Sequence, residues 1–155
     1  MKKIIFMLAF MLSSISIFAQ QWTQKEFKAD ELKGTEGYMA YTYKDENGNS
    51  FIYWSNTEKK LRLINKVGIF DSDSYGNVLA KLGFYDESGN LVKKKDFGIS
   101  TISNSYSMAE NKYSKESAMI LKYLKEQKGY IRILAPMFQS VSPWEIKVPC
   151  LNNEK

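Results

Sequence analysis

What this chain can do chemically is bounded first by histidine, of which its 155 residues contain none. Ser-His-Asp and Cys-His catalysis, imidazole acid-base work and His-ligated zinc or iron are therefore excluded as sites within the chain. Cys150 is the single cysteine, so no intramolecular disulfide can form. With no base supplied by its neighbours in Val148-Pro149-Cys150-Leu151, it reads as a structural residue. Neither the phosphate-cradling loop G-x-x-x-x-G-K-[ST] nor the dinucleotide fingerprint G-x-G-x-x-G occurs. Paired carboxylates are the catalytic chemistry left open. Seventeen acidic residues put some carboxylates close together in any fold, and a small secreted carboxylate-dependent hydrolase is accordingly the alternative functional reading.

One segment approaches a metal motif. Asp71-Ser72-Asp73-Ser74-Tyr75-Gly76-Asn77 fits positions one, three and six of a calcium loop. It then fails, because Tyr75 stands at position five and Leu82 at position twelve, where a bidentate Glu is required. The segment is expected to be a polar turn, with no metal and no cofactor.

Aromatic residues are the other resource. The chain holds ten tyrosines and three tryptophans, and in the stretch from Tyr38 to Ser55 they recur on alternate positions. If Phe51 and Tyr53 face a core, Ile52 and Trp54 face out, and the reverse assignment exposes Tyr53. Tyr41, Tyr43, Tyr53 and Trp54 are thus the candidate binding residues, an exposed platform for a glycan or a protein partner. The expected function is a secreted, non-catalytic binding module.

The elements that would position such a platform can be read from periodicity. Ile120, Leu121 and Leu124 form one apolar stripe, with Lys122, Lys125 and Glu126 opposite, which predicts a helix over about 115–128. Ser114 is placed to cap it and Gly129 to end it. Two strands follow. Tyr130–Ala135 is β-branched and aromatic, and Trp144-Glu145-Ile146-Lys147-Val148 alternates strictly, with Trp144, Ile146 and Val148 on the buried face.

Before the helix, short apolar runs separated by polar turns predict strands at 38–43, 50–55, 61–64, 67–70, 78–85 and 91–97. Two turns echo each other. Asp45-Glu46-Asn47-Gly48-Asn49 and Asp86-Glu87-Ser88-Gly89-Asn90 both offer Gly for a left-handed position in a hairpin. Near the start, Thr23-x-x-Glu26 has the capping-box form and would open a short helix ending before Gly34. The fold class expected is β-rich: an antiparallel β-sandwich or barrel-like sheet with one crossing helix.

Residues 1–19 have the layout of a secretory signal: Lys2-Lys3, an apolar run from Ile4 to Leu12, then small residues up to Ala19. The apolar run is shorter than a bilayer span needs, so removal after Ala19 is expected. Residues 20–155 would then form one exported domain, periplasmic or extracellular, with no stable membrane insertion. The charge balance is mildly basic at +5 for the full chain, and two of its lysines lie in the signal. Its one basic run, Lys93-Lys94-Lys95, is expected to protect a strand edge, and no nucleic-acid partner is expected.

Overall fold

The computed structural model describes residues 22–102 and 105–153. The expected signal segment lies outside the described residues. Among the described residues nine strands form one antiparallel sheet: β1 (Trp22–Phe27), β2 (Tyr38–Lys44), β3 (Ser50–Trp54), β4 (Leu61–Ile64), β5 (Asn77–Tyr85), β6 (Leu91–Ile102), β7 (Ser105–Asn111), β8 (Tyr130–Ala135) and β9 (Trp144–Pro149). Their spatial order is β1-β2-β3-β4-β7-β6-β5-β8-β9. The helix α1 (Ser114–Glu126) carries the chain from β7 past β6 and β5 to β8.

Period-two alternation gives each strand one apolar face, and a single sheet can bury that face by curling around it. Along β5, Val78, Ala80, Leu82 and Phe84 are buried while Leu79 and Lys81 are exposed. The inner residues of β3, β4, β5, β6, β8 and β9 join one core. At the seam the edge strands approach each other: the Trp22 indole N–H donates to the Pro149 carbonyl at 3.0 Å, and its ring meets Phe51 edge-on at 6.0 Å. The sheet thus curls into a barrel-like form whose edge strands β1 and β9 meet through this side-chain bond and not through a backbone ladder.

The helix buries Ser117, Ile120, Leu121 and Leu124, as the stripe required. It spans the barrel from β6, where Glu116 pairs with Lys95 at 2.6 Å, to β2, where the Lys125 ammonium lies 4.6 Å from the Tyr41 ring centre. It starts without a side-chain cap, and its last residue is Glu126. Gly129, at φ 109°, turns the chain into β8 so close to the Tyr85 carbonyl that any side chain would collide with it. Cys150 is fully buried beneath this corner, and burial pushes its thiol up to about 11, which keeps it protonated and inert at neutral pH.

Turns set the register. In the segment Asp45–Asn49, the Asp45 Oδ1 accepts from the Asn47 and Asn49 amides at 2.9 and 2.8 Å, Oδ2 accepts from Asn49 Nδ2 at 2.9 Å, and Gly48 sits at φ 78°. Asp86–Asn90 repeats this bonding with Gly89 at φ 82°. Asp73-Ser74-Tyr75-Gly76-Asn77 is a third copy, with Gly76 at φ 77°. A carboxylate that must satisfy three donors explains why the pattern is D-x-x-G-N each time.

The structure departs from the sequence reading at three places. The Thr23 segment is not helical; it forms the edge strand β1, because pairing with β2 from Trp22↔Tyr43 to Phe27↔Tyr38 outweighs a single capping pattern. Residues 67–70 make no strand and keep only the bridge Phe70↔Met137. Ser105–Asn111, too rich in small residues to show alternation, is the strand β7 that joins β4 to β6. Lys93-Lys94-Lys95 lies on the half of β6 that pairs with β5 alone, because β7 pairs only with Ile99 to Ile102, so the lysines do stand on an unpaired strand edge.

Candidate functional site

The expected aromatic platform does not assemble. Tyr53 and Tyr41 are cross-strand neighbours with rings in the core, exposed by only 2% and 8%. Tyr43 is half-buried near the seam, 5.6 Å from Trp22 between ring centres, and desolvation, followed by the nearby Asp45 and Glu46 charges, raises its phenol above the usual range. Trp54 alone of the four points outward, half-covered by the Arg62 guanidinium 5.1 Å from its ring. Arg62 is held in turn by Glu110, with Nε donating at 3.0 Å. Three rings inside and one outside do not make one binding surface.

Exposed rings gather elsewhere, at the end of the barrel opposite α1. There the start of β5 and the end of β6 border a groove of about 580 Å³. Its apolar walls carry Ile69, Tyr75, Tyr106 and Phe138. Tyr75 is 87% exposed, Tyr106 56% and Phe138 53%, far beyond what a core ring shows. Asp71, Ser72, Asp73, Ser74 and Thr101 supply oxygen, and among the described residues no lysine or arginine lines the groove.

The walls are held by backbone bonds between segments distant in sequence. Phe70 donates its N–H to the Tyr106 carbonyl at 2.8 Å, Asp71 to Pro136 at 2.9 Å, and Phe138 to the Ile69 carbonyl at 3.1 Å. Beneath them, Phe70 is buried edge-on against Trp144 at 5.2 Å, so Ile69 on the other side of the backbone is left facing out. Buried Asn65 shapes the approach, its Oδ1 accepting from the Val67 and Gly68 amides at 3.0 Å each. The rigid support is what distinguishes a groove with exposed rings from a loose apolar loop.

Tyr75 owes its position to the D-x-x-G-N turn. Asp73 accepts from the Tyr75 amide at 2.9 Å and from the Asn77 amide and side chain at 2.8 Å each, and the Gly76 carbonyl accepts from Thr101 N–H at 2.8 Å. The Asn77 side-chain bond, then its backbone bond, hold the Asp73 carboxyl below its ordinary value. Asp73 is thus an ionised turn residue with its acceptors engaged. Among the described residues, no cluster of three or more Cys, Asp or Glu side chains could hold a metal ion.

Sequence reading missed Tyr75, Tyr106 and Phe138. Tyr75 had a signal, the third D-x-x-G-N copy, overshadowed by the resemblance of Asp71–Asn77 to a calcium loop. Tyr106 lies on the strand hidden by small residues, and Phe138 lies in the turn between Pro136 and Pro143. Comparison with protein-family models, with curated proteins and with solved structures finds no match.

Proposed function

We propose that this domain is a non-catalytic binding module that holds a neutral glycan in the groove of Tyr75, Tyr106 and Phe138. The observation that carries the reading is the coincidence of three exposed rings with a groove lined by carboxylate and hydroxyl oxygen and, among the described residues, by no cation. Rings offer flat, rigid area to the C–H face of a sugar at little entropic cost. Asp71, Ser72 and Thr101 offer acceptors for sugar hydroxyls, and the lack of Lys or Arg gives an anionic chain nothing to pair with. The export expected from residues 1–19 would bring the groove to extracellular or periplasmic polysaccharide.

The hydrolase alternative finds less support. A glycosidase pair needs one carboxyl kept protonated by its surroundings, and Asp73 is pushed the other way. The test is calorimetry of the exported chain against a panel of neutral gluco-, manno-, xylo- and chito-oligosaccharides. At least one should bind, and Tyr75→Ala combined with Phe138→Ala should weaken it tenfold or more while the melting temperature stays put. A panel with no binder, product release from any bound sugar, or a double variant that binds as wild type would each overturn the reading.

A further inference from the structure

The helix does not close its own end of the barrel completely. Between α1 and the β5–β6 hairpin lies a second cleft of about 230 Å³, walled by Phe84, Val92, Met119 and Tyr123. The Phe84 and Tyr123 rings meet edge-on at 4.8 Å and form its floor, and the Tyr123 hydroxyl is turned away to the Tyr85 carbonyl at 3.0 Å. Val92 on the rim is 61% exposed, so apolar surface reaches water here.

Charge at the rim is one-sided. Lys93, Lys122 and Glu126 border the cleft. Lys122 and Glu126 lie 4.0 Å apart, one turn along the helix, and offset each other. Lys93 stands on β6 opposite Phe84, and among the described residues its ammonium forms no ion pair; it lies 3.9 Å from the Met119 sulfur. Its neighbour Lys95, by contrast, is engaged by Glu116 at 2.6 Å. An unpaired ammonium beside an apolar cleft suits a ligand with one negative end and one hydrocarbon end, since either half alone would leave the other part of the site unmatched.

We propose that this cleft binds a fatty carboxylate, with its acyl chain against Phe84, Val92, Met119 and Tyr123 and its carboxylate on the Lys93 ammonium. The site is separate from the loop-end groove. Asn77 to Gly83 of β5 lie between Gly76 in the groove and Phe84 in the cleft, a run of roughly 26 Å at about 3.3 Å per residue. The probe is dodecanoate below its micelle concentration, titrated calorimetrically into the full chain, with dodecyltrimethylammonium and neutral dodecyl maltoside as controls. Dodecanoate should bind at one per chain and at least tenfold more tightly than either control. Lys93→Glu and Val92→Asp should each weaken it tenfold or more, and Lys93→Arg should retain it. Val92 is exposed, so its variant reports on the cleft even where Lys93→Glu disturbs folding. Equal affinity for the three headgroups, wild-type affinity in Val92→Asp, or binding only to anionic vesicles and not to monomeric dodecanoate would overturn the proposal.

Discussion

The two ends of this barrel solve the same problem differently. A curled sheet leaves an apolar interior open at each end. At one end α1 covers it with Ile120, Leu121 and Leu124 on a single stripe, and its exposed face is rich in lysine. At the other end two loop segments and the start of β7 cover it, with Phe70 and Trp144 turned inward and Ile69, Tyr75, Tyr106 and Phe138 left outside. A helix sorts apolar from polar residues by its period, so its own stripe is buried, and the exposed apolar side chains beside it are Tyr113 just before it and Leu91 and Val92 on β6. Irregular loops have no such period, and they can hold rings in solvent when their backbones are pinned. The loop end is therefore the end suited to carry a surface of exposed rings.

The comparison is tested most severely by removing the residue that plugs each end. Phe70→Ala should cost about 3–5 kcal/mol and Leu124→Ala about 2–5 kcal/mol in urea unfolding, because both are fully buried. A Phe70→Ala chain that unfolds like wild type would mean the loop end is not packed as described, and its exposed rings would lose their rigid support.

Smaller, and specific to the loop end, is Gly76→Ala. Its φ of 77° belongs to glycine, and a β-carbon there would stand 2.7 Å from the Thr101 hydroxyl. A cost of about 1–3 kcal/mol is expected, together with weaker ligand binding as Tyr75 moves. Gly34→Ala provides the control, since at φ 63° it meets open space and bears only the backbone cost.

At the seam joining the edge strands, Trp22→Phe removes the bond to the Pro149 carbonyl while keeping most of the ring. A loss of about 0.5–1.5 kcal/mol should appear as a lower urea midpoint with an unchanged slope. Acid provides the mildest probe. The carboxyls of Asp73 and Asp86 are lowered in the fold from an ordinary 3.8, chiefly by bonds from Asn77 and Asn90. Their contribution is thus full above pH 3.8 and is lost as pH falls through the lower folded values. Asp73 is exposed and Asp86 only partly covered, so the drop in melting temperature below pH 4 should be small, and Asp73→Asn should reduce it; a loss beginning near pH 6 would point to a group other than these two.

What was legible in the sequence is what short-range physics decides. The stripe of Ile120, Leu121 and Leu124 marked the helix, strict alternation marked the buried face of Trp144, Ile146 and Val148, and glycine after a polar triplet marked the hairpin turns. Each depends on residues a few positions apart. Where a strand or ring position depended on a distant partner, the reading stopped. Thr23 to Phe27 is a strand only because β2 lies beside it, and Ser105 to Asn111 only because β4 and β6 flank it.

The aromatic residues divide along the same line. The sequence by itself determined that Phe51 and Tyr53 share one face and Ile52 and Trp54 the other, since strand geometry fixes that parity. Only the tertiary structure decided that the Phe51 face is the core, because closure of the sheet from Trp22 to Pro149 sets which side is inside. Likewise the chain alone supplies Tyr75, Tyr106 and Phe138 on three separate segments. Backbone bonds from Phe70 to Tyr106, from Asp71 to Pro136 and from Phe138 to Ile69 bring those segments to one groove, and contacts across such sequence distances have no local signature for a sequence to show.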